Sequence, residues 1–145
     1  MKRALERLRR SDALASEVQT SLERNGFEAA VVERVLVLLR ERRLIDDTKT
    51  INSLVASKTG KRAAGIEKMR LELRQRGAPE ELIDTRLAEV TPESQSAEMR
   101  ALLVARCKPT DSRAKGARLL LSRGFDEDAV REAINEFFGS DDFSE

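Results

Sequence analysis

Two stretches of this chain concentrate positive charge. Between Lys58 and Arg76 lie Lys58, Lys61, Arg62, Lys68, Arg70, Arg74 and Arg76, opposed only by Glu67 and Glu72. Between Arg100 and Arg123 lie Arg100, Arg106, Lys108, Arg113, Lys115, Arg118 and Arg123, opposed only by Asp111. Guanidinium and ammonium groups at this density suit recognition of a polyanion, by salt-dependent contacts to phosphates. A solvated helix face, with Glu–Arg pairs worth roughly 0.3 kcal/mol each, is the competing reading. The repetition of the run in register favours the polyanion-facing surface, for nucleic acid or a protein–nucleic-acid filament.

Other chemistries find no residues to carry them. The chain has no His, so neither a Ser-His-Asp nor a Cys-His nucleophile can be assembled. One Cys and no His cannot make a zinc cluster. No cofactor and no metal are expected, and an enzyme is not. Lys58-Thr59-Gly60-Lys61 superficially resembles a phosphate loop, but Gly60 has no partner glycine at the required spacing and no strand precedes it. Asp46 and Asp47 read as helix caps rather than metal carboxylates. Cys107, the single cysteine, reads as a small buried side chain beside Met99 and Leu103, and its solitude excludes an intrachain disulfide. That fits a reducing, cytoplasmic setting. Trp and Tyr are absent and the five Phe do not interleave with the basic runs, which argues against base-stacking readers of single strands. No apolar run reaches the ~18 residues of a membrane span, and the basic N-terminus is not followed by the apolar stretch of a secretory signal.

The elements that must position the cations follow from one phrase that occurs three times: Asn25-Gly26-Phe27, Arg76-Gly77-Ala78 and Arg123-Gly124-Phe125. A Leu stands four residues before each glycine (Leu22, Leu73, Leu120). A β-branched residue stands six after it (Val32, Ile83, Val130), and Leu36, Leu87 or Ile134 ten after it. The glycines are 51 and 47 residues apart, which marks an internal repeat. Each phrase predicts a helix ending on its last apolar contact, a left-handed Gly cap, and a new helix two or three residues on. Asp126 is the expected N-cap in the third copy and Pro79 the expected first helical residue in the second.

In chain order, Leu5 and Leu8 suggest a short first helix, and Ser11 or Asp12 a cap for the next, which carries Leu14, Val18 and Leu22. Val31 to Leu39 is the most apolar stretch; helix is the preferred reading, strand the alternative, and its broad face is expected to pack on two sides or to form a dimer contact. Asp47 is expected to cap a helix bearing Ile51, Leu54 and Val55. Ser57 to Gly65 reads as a basic loop. Ile66, Met69 and Leu73, then Leu82, Ile83 and Leu87, stripe two more helices. Thr91-Pro92 opens another with Met99, Leu102 and Leu103 inward, Lys108-Pro109-Thr110 interrupts, and Val130, Ile134, Phe137 and Phe138 stripe the last. The expected fold is all-α: three tandem three-helix repeats, residues 1–45, 46–90 and 91–138, in an elongated, curved array, followed by an acidic disordered tail over 139–145.

The chain resembles the RecX family of recombinase regulators. The resemblance rests on the repeated three-helix plan with its Arg-Gly-Phe turns and on Leu44-Ile45-Asp46-Asp47. Leu8-Arg9-Arg10-Ser11-Asp12-Ala13-Leu14 and Met69-Arg70-Leu71-Glu72-Leu73-Arg74-Gln75-Arg76-Gly77 add to it. It covers residues 5 to 138. Thr50, Ile51 and Leu54 stand where the family usually has Phe-Ala and often a Trp, and Ala78 replaces a larger apolar residue. The resemblance implies a cytoplasmic bacterial protein that lies in the groove of the RecA–single-stranded DNA filament. It would inhibit strand exchange and RecA's ATPase, in DNA repair and the SOS response, without chemistry of its own. A monomer is expected, with single- or double-stranded DNA a further partner and no membrane association. The resemblance carries over Arg70, Arg74, Arg76, Lys115 and Arg123 as contacts; Lys61, Arg62, Arg113 and Arg118 are added on charge alone.

Two other readings compete. A helix-turn-helix DNA-binding protein would need base-reading residues after a Gly turn. Instead Glu80, Glu81 and Asp84 follow Gly77, and Asp126, Glu127, Asp128 and Glu132 follow Gly124. A ubiquitin-associated-like module would account for Arg123-Gly124-Phe125, Ala129, Val130 and Ile134, but not for the threefold repeat.

Overall fold

The computed structural model describes residues 13–139. The expected first helix, the Ser11 or Asp12 cap and the tail beyond Gly139 lie outside the described residues. Among those described there are eight α-helices and no strand. They are α1 (Ala15–Arg24), α2 (Ala29–Glu41), α3 (Asp47–Ala56), α4 (Ile66–Gln75), α5 (Glu80–Leu87), α6 (Pro92–Arg106), α7 (Arg113–Ser122) and α8 (Glu127–Phe138), with a short 3-10 turn at Gly60–Arg62.

The helix ends follow one rule. At the ends of α1, α4 and α7 the residue after the glycine donates its N–H to the carbonyl of the leucine five positions back: Phe27 to Leu22 at 3.3 Å, Ala78 to Leu73 at 3.0 Å, Phe125 to Leu120 at 3.3 Å. The glycines take φ +84°, +84° and +81°, the left-handed conformation this helix stop requires. The next helix begins three residues past the glycine each time. The expected inward positions all land in the core: Leu22, Leu73 and Leu120, then Val32, Ile83 and Val130, then Leu36, Leu87 and Ile134 are buried. A fourth end, that of α2, has the same geometry without a glycine. Leu44 N–H donates to the Leu39 carbonyl at 2.8 Å, and the left-handed residue is Arg43, at φ +57°.

The helix starts divide between expectation and correction. Thr91 caps α6, its hydroxyl accepting from Ser94 N–H at 3.0 Å with Pro92 in the first turn, and Asp126 caps α8 by accepting from Ala129 N–H at 3.2 Å. Pro79 stands one place before the expected position: its carbonyl accepts the first helical bond, from Ile83 N–H at 3.1 Å, so it is the cap residue of α5. Asp46, not Asp47, caps α3, accepting from Lys49 N–H at 3.2 Å. Asp47 reaches instead to the start of α1, where its Oδ1 accepts from Ala15 N–H at 2.9 Å. Glu17 completes that cap by accepting from Leu14 N–H at 2.9 Å. Two donors that α1 leaves open at its N-terminus are thus satisfied by carboxylates from outside the cap position.

The chain groups into two units. Unit one contains residues up to Leu54 together with Glu72–Thr85; unit two contains Val55–Leu71 and Arg86 onward. The core of unit one joins Val18 and Leu22 of α1 to Val32, Leu36 and Leu39 of α2 and to Ile45. Helix α2 buries one face, while Val37 on the opposite side is 45% exposed, so the expected two-sided packing is not what α2 does within this unit. Thr50 is buried, its hydroxyl donating to the Asp46 carbonyl at 3.2 Å. The core of unit two joins Met99, Leu102, Leu103 and Cys107 to Leu120, Phe125, Val130 and Ile134, with Phe137 and Phe138 at its edge. Cys107 sits one residue past α6, buried as expected. The segment read as a basic loop is partly core: Ala63, Ala64 and Gly65 are buried. Gly116 lets α7 lie against α8, since a Cβ there would strike Ile134 and the Phe138 ring.

Candidate polyanion-binding surface

The described residues contain no group of three His, Cys, Asp or Glu placed to hold a metal ion, and no described helix is long and apolar enough to cross a membrane. The structure sorts the cations by what each guanidinium or ammonium already holds.

In unit two, the turn after α7 gathers several. Gly65 N–H donates to the Arg123 carbonyl at 2.7 Å, and a Cβ on Gly65 would collide with the Gly124 carbonyl. The connector and the turn are thus in backbone contact. Arg123 Nη1 donates to the carbonyls of Lys61 at 2.8 Å and Ala63 at 3.1 Å, and Lys68 Nζ donates to the Ser122 carbonyl at 3.4 Å. Arg118 lies one turn before Ser122 on the same face of α7. Lys61, Arg62, Lys68, Arg118 and Arg123 therefore surround one turn. Lys61, Arg62 and Arg118 are exposed. Arg123 is half-buried and fixes the connector that carries Lys61 and Arg62, so its guanidinium organises the group.

Of the other predicted contacts, Arg70, Arg113 and Lys115 lie in unit two and Arg74 and Arg76 in unit one. Arg113, at the far end of α7, donates to Asn135 Oδ1 and the Gly139 carbonyl. Lys115 pairs with Asp111 at 3.1 Å. The Asp111 carboxyl is held below its ordinary value of 3.8, first by the Lys108 N–H it accepts and then by the Lys115 ammonium, against a small opposing effect of desolvation. Arg70 on α4 is half-buried. Arg74 pairs with Glu80 at the surface. Arg76 grips Glu17 with two hydrogen bonds, Nη2 to Oε1 at 2.7 Å and Nε to Oε2 at 3.0 Å, and its own carbonyl accepts from Ser16 Oγ at 3.0 Å. Beside this pair is a polar cleft of about 680 Å³ lined by Thr20, Ser21, Arg24 and Asn25 among others.

The chain as a whole has relatives among known proteins. No family model matches the chain. The regulatory protein RecX of Prosthecochloris aestuarii is 30% identical over 122 residues, which is 83% of this chain and 81% of that protein. The regulatory protein RecX of Chlorobium phaeobacteroides is 32% identical over 126 residues, 86% of this chain and 83% of that protein. The chain belongs to the RecX family. Its fold is shared with a crystal structure of RecX from Lactobacillus salivarius, at TM-score 0.79 and 22% identity, over 94% of this chain and 92% of that one. A second crystal structure of a regulatory protein RecX matches at TM-score 0.75 and 27% identity, over 93% of this chain and 70% of that one.

In this RecX-family chain, sequence reasoning passed over Lys68 as a site residue, although it lies in the first basic run. It also passed over Arg40, Arg42 and Arg43 at the end of α2. The pattern Arg40-Glu41-Arg42-Arg43 was visible, but without a glycine it did not announce a helix end.

Proposed function

We propose that this RecX-family chain regulates the RecA recombinase by binding in the groove of the RecA–single-stranded DNA filament. There it restrains strand exchange and ATP hydrolysis during DNA repair and the SOS response. It acts in the cytoplasm as a monomer, without cofactor or chemistry of its own, and contacts single- or double-stranded DNA through the phosphates. Its helices are read as three tandem three-helix repeats, residues 1–45, 46–90 and 91–138.

The observation that carries this reading is the cation group around the turn after α7, where Lys61, Arg62 and Arg118 are exposed beside a turn that Arg123 braces. Arg70, Arg74, Arg76, Arg113 and Lys115 complete the proposed contact set. An unshielded group of this kind exchanges small counterions for phosphates, so its binding weakens steeply with salt. Helices α5 and α8, which follow the Gly turns, begin with Glu80 and Glu81 and with Glu127 and Asp128. Such helix starts repel a DNA backbone, which favours the filament reading over a helix-turn-helix.

The test is equilibrium binding to RecA–single-stranded DNA filaments by the wild type and by the triple variant Lys61→Glu, Arg62→Glu, Arg118→Glu. The variant is expected to lose binding while its far-ultraviolet helical signal is unchanged. Equal affinity of variant and wild type would remove this group from the mechanism.

A further inference from the structure

A second set of arginines, at the C-terminal end of α2 in unit one, makes no side-chain hydrogen bond or ion pair among the described residues. Arg40, Arg42 and Arg43 are exposed, and none of them enters an ion pair among the described residues. The two acids that follow in sequence do not neutralise them. Asp46 is turned to the Lys49 N–H and Asp47 to the Ala15 N–H. Arg43 also occupies, at φ +57°, the left-handed position that Gly26, Gly77 and Gly124 hold in the same turn elsewhere. An L side chain is strained there, and strain of this kind concentrates at functional surfaces.

The surroundings indicate the partner's chemistry. Val37, one turn before Arg40 on α2, is 45% exposed and Leu44 is 44% exposed. A cavity of about 400 Å³ opens between Arg40, Arg43, Thr48 and Leu82, with Asp46 and Asp47 on its wall. Exposed apolar side chains interleaved with uncommitted guanidinium groups are the composition of a protein-recognition surface. A phosphate backbone would leave the exposed Val37 and Leu44 side chains in water, whereas a protein surface can cover them.

We infer that the Val37–Leu44 corner of unit one docks an acidic, partly apolar protein surface. On the filament reading above, which this inference rests on, that surface belongs to the filament's protein subunits, while the Lys61–Arg62 group meets phosphates.

The experiment compares the full chain with the double variant Arg40→Ala, Arg43→Gly. Binding is measured to RecA–single-stranded DNA filaments and to the same DNA strand without RecA, at one salt concentration. The variant is expected to bind filaments about tenfold more weakly, as loss of interface arginines does. Its behaviour toward bare DNA should not change, and it should melt no earlier than the wild type. An equal loss on both ligands would make these arginines phosphate contacts and overturn the inference, and so would unchanged binding to filaments. A wild-type chain that binds no filament would overturn the filament reading and this inference with it.

Discussion

Arg76 and Glu17, 59 residues apart, form a two-point ion pair within unit one, with contacts of 2.7 and 3.0 Å and side chains 30% and 17% exposed. Glu17 also accepts the Leu14 N–H at the start of α1, so one carboxylate ties the cap of α1 to the end of α4. Truncating Arg76 leaves that carboxylate half-buried with one partner fewer. Arg76→Ala is expected to lower unfolding stability by about 1–2 kcal/mol, the range for charge-assisted bonds away from full solvent. Urea denaturation checks this: the midpoint should fall with no change in slope.

Gly26, left-handed in open space, and Gly65, in ordinary backbone against a neighbouring turn, separate two penalties. A Cβ on Gly26 meets nothing within 4 Å, so Gly26→Ala carries only the left-handed strain, about 1 kcal/mol. A Cβ on Gly65 runs into the backbone of Gly124 and Phe125, which cannot yield without opening the connector. Gly65→Ala is expected to cost about 2–3 kcal/mol and to speed amide exchange at Gly65 itself, whose N–H bonds the Arg123 carbonyl. Thermal melts of the two variants side by side, with exchange at that amide, decide the order.

Arg43 makes the opposite case. Glycine adopts φ +57° without strain but gives the unfolded chain more freedom, so relief and entropy partly cancel. Arg43→Gly is expected to stabilise unit one by about 0.5 kcal/mol. A lower melting temperature would mean that the Arg43 side chain contributes to the fold.

The Lys108–Asp111 turn before α7 gives a pH signature. The Asp111 carboxyl is depressed below 3.8 by the Lys108 N–H and the Lys115 ammonium. A group with a lowered folded pKa contributes stability above its unfolded pKa and loses it as pH falls through the folded value. The stability difference between wild type and Asp111→Asn is therefore expected in full above pH 3.8 and to vanish in stronger acid. A difference that stays constant down to low pH would show that Asp111 acts through shape rather than charge. Denaturation across a pH series makes the comparison.

Much of the fold was legible because its signals are local. The Leu-to-Gly spacing located three helix ends, and the positions six and ten past each glycine located buried faces. What failed was also local, but degenerate. Asp46 and Asp47 are chemically equivalent caps, and only the arrival of Ala15 from α1 decides which caps α3 and which serves α1. Pro79 fits both the cap and the first helical position. Ser57 to Gly65 looked like a solvent loop because its composition is polar, yet Ala63 is fully buried against a core formed much later in the chain. The basic runs were legible as charge, but not as availability. Arg76, Arg113 and Arg123 hold partners 59, 22 and 60 residues away, and no periodicity shows such pairings. The uncommitted arginines at 40, 42 and 43 were hidden for the converse reason: their turn uses a residue that turns rarely use.

The most direct test of the account is RecA ATP hydrolysis on single-stranded DNA, followed while this chain is titrated in at two salt concentrations. The account predicts inhibition below one chain per RecA, weaker at the higher salt, and absent for the Lys61→Glu, Arg62→Glu, Arg118→Glu variant. Hydrolysis unaffected by the wild-type chain at either salt would contradict it.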